Sequence, residues 1–319
     1  MDLIQRAAER LKQANELSLV EKAAAKRHEK PEPPGSDAPP RPAGSAPADG
    51  AEAAESAAAP AGAPETDIGR THARQFALDL AKLQISGFVT PSGSRTRIAE
   101  EFRVIKRPLL LKAFATGEER VEGGNLLMVT SAKPGEGKTF TAINLAMSIA
   151  SERDLHVLLI DADVQRPSVF QVLGLPPQRG LLDLLSDANL SPPDVLVRTN
   201  VRNLTLMAAG TPSLATTELL ASQKMVTLMR DIASRYRDRI VIFDAPPVLA
   251  SSEPSVLALH VGQIVLVVEA GKTGRRAIDQ TLSHIGSCQH ISVVFNKAEK
   301  SSGTDEFGGY DYGYYKANE

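Results

Sequence analysis

From Asn125 onward, short apolar runs alternate with stretches of helical periodicity. The runs Leu126–Thr130, His156–Ile160, Leu204–Met207, Ile240–Phe243, Ile264–Val268 and Ile291–Phe295 are predicted as strands. Between them, Thr139–Ser151, Ser168–Leu173, Leu181–Ser186, Glu218–Tyr236 and Arg275–Ile285 are predicted as helices. Strands that are apolar nearly throughout belong to parallel sheets covered on both faces. The expected fold class is therefore α/β, a mostly parallel sheet with helices on both sides. Such sheets bind ligands beyond the carboxyl ends of their strands.

The chain before Asn125 divides into distinct parts. Residues 1–30 read as an amphipathic helix, with Leu3, Ile4, Ala7, Leu11 and Ala14 at helical spacing. Residues 31–68 are rich in Pro and Ala and hold no large apolar side chain before Ile68. A segment of that composition cannot offset its ordering entropy and is expected to be a disordered linker. Residues 69–300 form the main domain. Its first part, 69–90, reads as a short helix and a turn ending near Pro91. A stronger helix follows from about Arg97 to Ala115, with Phe102, Ile105, Leu109 and Leu110 toward the core. Glu100, Arg103 and Lys106 stand three apart on it and are expected to form one charged stripe.

Charge and composition narrow the classes. The formal net charge of −2 leaves no basic excess of the kind a nucleic-acid surface uses. The single cysteine, Cys288, excludes an intramolecular disulfide and suits a reducing compartment. No apolar run approaches the roughly 18 residues of a membrane-spanning helix. The start, Met-Asp, lacks the pattern of a secretory signal. The expected location is cytoplasmic, with recruitment to the inner membrane face through a partner.

The chemistry centres on Ala132-Lys-Pro-Gly-Glu-Gly-Lys-Thr139, between an apolar strand and a helix. That context is the one a phosphate-binding loop requires, although Ala132 stands where the common pattern has Gly. Gly135 and Gly137 let successive N–H groups converge on phosphate oxygens, and the helix N-terminus adds free donors. Lys138 can reach β- and γ-phosphates, and the Thr139 hydroxyl can ligate Mg²⁺. The expected nucleotide contacts are Lys133, Pro134, Gly135, Glu136, Gly137, Lys138, Thr139 and Phe140.

Three further strand ends carry polar groups. Asp161 and Asp163 close the second strand and can hold Mg²⁺, directly or through water. One of them could also take a proton from an attacking hydroxyl. Asp244, in Phe-Asp-Ala-Pro-Pro, is the second acidic signature of phosphate-loop enzymes. Asn296 ends the last strand, where its amide can read an adenine edge. Residues 301–319 form a glycine-rich, flexible tail holding Tyr310, Tyr312, Tyr314 and Tyr315, four of the five tyrosines. No apolar period would draw them into a core, so they are candidate contact residues or phosphate acceptors. From Lys297 to Tyr310 the tether can extend roughly 40–45 Å, enough to reach a neighbouring subunit's site or its own.

Taken together, the loop, Ile-Asp-Ala-Asp, Phe-Asp-Ala-Pro-Pro and the tyrosine-rich end resemble the bacterial tyrosine autokinases, or BY-kinases, from about residue 95 onward. Met-Asp-Leu-Ile-Gln-Arg-Ala and Glu-Glu-Phe-Arg-Val-Ile-Lys-Arg-Pro-Leu-Leu further resemble stand-alone members associated with exosortase and exopolysaccharide loci. The resemblance implies a P-loop NTPase fold and an ATP- and Mg²⁺-dependent kinase that phosphorylates tail tyrosines in trans within a ring. It implies a membrane adaptor of polysaccharide export and a counteracting tyrosine phosphatase as partners. By position it assigns phosphate and metal to Lys138 and Thr139, base or metal-shell duty to Asp161, and the metal surroundings to Asp163 and Asp244. It places Glu100, Arg103 and Lys106 on a subunit-contact motif, with Lys106 in place of its final Arg. Gln165 and Ala245 also depart from the family pattern. Two alternatives compete: a partition- or septum-site-type ATPase, which Lys133 favours, and a non-catalytic nucleotide-binding assembly module.

Overall fold

The computed structural model describes residues 74–91, 96–235 and 238–298. The proposed N-terminal helix, the linker and the tyrosine-bearing tail lie outside the described residues.

An eight-stranded sheet forms the centre of the described fold. Its strands are β1 (Arg74–Phe76), β2 (Leu126–Ser131), β3 (His156–Asp161), β4 (Leu196–Thr199), β5 (Leu204–Met207), β6 (Arg239–Asp244), β7 (Gln263–Glu269) and β8 (Ile291–Asn296). They lie in the order β1-β4-β5-β3-β6-β2-β7-β8. Every pairing is parallel except β4 with β5. All six expected strands are present, which makes the fold α/β as the sequence pattern implies. The central strands are buried along nearly their whole length because both faces are covered. Alternate residues serve opposite cores. Leu127 and Val129 pack into one cluster, whereas Leu126 and Met128 pack into the other.

On the first face lie α1 (Leu80–Ile85), α2 (Arg97–Ala113), α3 (Lys138–Ala150) and α4 (Val169–Val172). The other face carries α5 (Leu181–Ser186), α6 (Pro192–Val195), α7 (Thr216–Leu220), α8 (Gln223–Arg235), α9 (Glu253–Leu257) and α10 (Arg275–Ile285). Helix α3 is the central one. Ten of its residues, Thr141 to Ala150, are buried, so it is covered almost all round. Among the described residues no helix is long and apolar enough to cross a membrane.

The structure corrects four expectations. Residues 74–76 form strand β1 rather than the start of a helix, and the helix is confined to Leu80–Ile85 behind an Asp79 cap. Strand β4 was not predicted, because four residues that include the exposed Arg198 show no apolar run. The single helix expected over Glu218–Tyr236 is two helices, α7 and α8. The Ser222 hydroxyl between them accepts Met225 N–H at 3.2 Å, a cap that starts a new helix. Lys106 does not share a solvent stripe with Glu100 and Arg103. Steps of three residues rotate about 60° backwards per step, so the sixth residue faces elsewhere. Lys106 is 6% exposed, and its ammonium binds the Ser148 carbonyl and the Glu152 carboxylate, each at 2.6 Å. Glu100 and Arg103 remain exposed and pair at 2.6 Å.

Candidate active site

The loop between β2 and α3 curls because its two glycines adopt left-handed backbone, with φ of 86° at Gly135 and 98° at Gly137. Gly137 is also pinned by space, since a Cβ there would meet Asn296 Nδ2 at 2.0 Å. Helix α3 begins at Lys138, and its first amides open toward the loop. Lys133, Pro134 and Gly135 are exposed, and Glu136 is buried. Phe140 turns away from the loop. Its ring rests on Phe88 with centroids 5.0 Å apart and packs against the first core cluster.

Strands β3 and β6 deliver the acids. Asp161 and Asp244 are register partners on these neighbouring parallel strands. Lys138 Nζ lies 2.7 Å from Asp163 Oδ2 and 3.7 Å from Asp244 Oδ1. The second contact is an ion pair without a hydrogen bond, and Asp244 Oδ1 is a buried atom with no hydrogen-bond partner. The other oxygen of Asp244 accepts the Thr139 hydroxyl at 2.6 Å. Lys138, Thr139, Asp161, Asp163 and Asp244 are thus brought together as expected.

The acids are set apart electrostatically. Burial raises the Asp161 carboxyl to about 7, with Asp244 adding to the effect against the amides of Val169 and Ser168. Those amides donate to Asp161 Oδ2 at 3.0 and 2.9 Å and seat the start of α4 on the carboxylate. Burial also raises Asp244 to about 6, although Lys138 and Thr139 oppose the shift. For Lys138, burial alone would lower the pKa, but Asp244, Asp163 and Asp161 outweigh it and the net direction is upward.

The residues suit Mg²⁺ with a nucleotide. The donors are hard oxygens, and the bare Asp244 Oδ1 beside Thr139 lacks the partner that a cation or its water would supply. Among the described residues no three His, Cys, Asp or Glu side chains form a metal cage by themselves. Mg²⁺ takes one or two protein ligands and completes its shell with phosphates and water.

Three participants were not foreseen. Ser168 Oγ stands 3.0 Å from Thr139 Oγ1. Thr273 donates to the Glu136 carboxylate. Lys297 Nζ donates to the Gly135 carbonyl at 2.7 Å and pairs with Glu269 at 3.2 Å. Glu136, expected among the nucleotide contacts, directs its side chain inward onto Lys133 N–H and Thr273. Asn296 uses its amide on protein: Nδ2 donates to the Glu136 carbonyl and Oδ1 accepts Lys297 N–H, each at 2.9 Å. Only the Lys297 interaction left a trace in sequence, as a cation directly after the strand-ending Asn.

A cleft of about 420 Å³ opens beside Asp161, lined by Phe170, Leu175, Pro177 and residues Ala208 to Gly210.

The AAA domain family model matches residues 124–295, more than half of the chain and the part that carries this site. EpsB of Ralstonia solanacearum is 36% identical over 197 residues, which are 60% of this chain but 24% of that protein. The chain therefore spans about a quarter of that relative's length. The tyrosine-protein kinase YwqD of Bacillus subtilis is 30% identical over 219 residues, covering 68% of this chain and 86% of that one. The crystal structure of the VpsO kinase domain superposes with a TM-score of 0.51 at 27% identity, over 64% of this chain and all of that domain. A relative matched along most of its own length, on the fold and loop described above, makes this chain a member of the bacterial tyrosine-kinase family.

Proposed function

We propose that the protein is an ATP-dependent tyrosine autokinase acting on Tyr310, Tyr312, Tyr314 and Tyr315 in trans. The observation that carries the reading is the placement of Lys138 and Thr139 against Asp163 and Asp244 at the carboxyl edge of the sheet. The loop amides and Lys138 bind and orient the phosphates, as positioning accounts for much of phosphoryl transfer. Bound Mg²⁺ would neutralise charge on those phosphates, with Thr139, Asp163 and Asp244 as its surroundings. Asp161, raised to about 7, takes the proton of the attacking tyrosine hydroxyl near neutral pH. The tyrosine oxygen forms its bond to the γ-phosphorus, the bond to the β–γ bridging oxygen breaks, and ADP leaves.

The same reading gives the protein an oligomeric, ring-like working state with Glu100 and Arg103 at the contact. It gives a membrane adaptor of polysaccharide export as activator, a tyrosine phosphatase as counterpart, and a role in exopolysaccharide synthesis at the inner membrane face.

The test is incubation of purified protein with Mg²⁺ and ATP, followed by mapping of phosphate by mass spectrometry. Phosphate on residues 310–315 that vanishes in Lys138→Ala supports the reading. Phosphate released to water from a protein with an unmodified tail replaces it with a nucleotide-switched ATPase.

A further inference from the structure

The carboxylate of Glu136 sits within the phosphate loop, 3% exposed, and no step of the proposed transfer uses it. An acid beside a site for polyanions opposes binding by like-charge repulsion. Its bonds show a use that offsets this. Oε2 accepts Lys133 N–H at 2.9 Å, and Oε1 accepts the Thr273 hydroxyl. Thr273 Oγ1 in turn accepts Glu269 N–H at 3.2 Å, which directs the hydroxyl proton onto Glu136. A continuous chain of bonds therefore runs from the end of β7 to the first turn of the phosphate loop. On the other side, the carbonyls of Gly135 and Glu136 are held by Lys297 and Asn296 from the end of β8. Phosphate binding needs N–H groups turned inward, and a loop fixed at its carbonyls and at its first amide has that orientation before a ligand arrives.

We infer that Glu136 is a positioning residue: through Thr273 it ties the nucleotide loop to the loop between β7 and α10 and holds it in the phosphate-binding shape. The inference rests on the nucleotide reading of the site. It also makes residues 270–274, on the surface, a place from which nucleotide affinity can be adjusted.

The test measures affinity for fluorescent Mg·ADP alongside thermal melting without nucleotide. Thr273→Val and Glu136→Ala each weaken binding about tenfold, since each breaks the connection between the two loops, Thr273→Val by one hydrogen bond to the carboxylate and Glu136→Ala by two. The double variant loses about the same tenfold, since both changes cut one connection. Thr273→Ser keeps the hydroxyl and stays within about threefold of wild type. Glu136→Gln does so too, because its amide can accept from Lys133 and donate to Thr273. The ligand-free melting temperature of Thr273→Val falls by no more than about 5 °C, the cost of one such bond. Wild-type affinity in Thr273→Val, losses that multiply in the double variant, or no recovery of affinity in Thr273→Ser and Glu136→Gln would overturn the inference. Wild-type protein that fails to bind Mg·ADP would remove the nucleotide reading and this inference together.

Discussion

Asp161 and Asp244 are register partners on adjacent parallel strands, so two buried carboxyl groups stand side by side at the sheet edge near the ammonium of Lys138. Both are pushed above the ordinary 3.8, to about 7 and about 6. The folded protein therefore binds more protons than the unfolded chain between about pH 4 and pH 7. The stability these groups contribute is full below about pH 4 and is lost as pH rises through their folded values. Without Mg²⁺, the gain in melting temperature from pH 8 to pH 6 should be larger in wild type than in Asp161→Asn. Affinity for Mg·ADP should move the other way, falling below about pH 7 as Asp161 takes up a proton. Equal pH slopes for wild type and Asp161→Asn would contradict the assignment.

Replacing Lys138 removes more than a phosphate contact. Its side chain and that of Asp163 are 11% and 5% exposed and lie 2.7 Å apart. Breaking such a pair leaves a buried charge, which costs roughly 3 kcal/mol. Lys138→Met should lose nucleotide binding, and urea denaturation should show a penalty that shrinks toward pH 5 as Asp161 and Asp244 become neutral.

Lys106 and Arg103 should separate cleanly. Lys106→Met leaves the Ser148 carbonyl without its 2.6 Å donor in a buried position and should cost about 1–2 kcal/mol in denaturation. Arg103→Ala removes an exposed pair and should change stability by under about 0.5 kcal/mol. Sedimentation of Arg103→Ala then reports on subunit contact without interference from folding. An unchanged oligomer distribution would count against the contact role.

Gly137→Ala forces a side chain into left-handed backbone and onto Asn296. The backbone strain alone costs about 1–2 kcal/mol. Denaturation should show at least that loss, and Asn296→Ala combined with Gly137→Ala should recover only the part due to the clash.

The sheet was legible because its central strands are apolar runs bounded by turn residues, and Leu204–Met207 came out as read. The acids were legible because each ends such a run. What stayed hidden has physical reasons. Arg74–Phe76 and Leu196–Thr199 are short and each carries an exposed arginine, so neither shows an apolar run. Thr273 meets Glu136 across 137 residues of chain, a distance over which spacing gives no signal. Lys106 read as surface because lysine usually is; only the packing of α2 on α3 reveals that its ammonium reaches the carbonyl of Ser148.

Lys297 has a left-handed backbone at the end of β8, with its ammonium on the Gly135 carbonyl. Whatever follows residue 298 therefore sets out from the rim of the nucleotide loop. If the tail tyrosines are the acceptors, a tether rooted there presents them to their own subunit at an effective concentration in the millimolar range, whatever the protein concentration. Exchange between copies must compete with that local encounter. Dilution is the discriminator: a rate per molecule that stays constant marks a self-contained reaction, and one that falls marks traffic between neighbours.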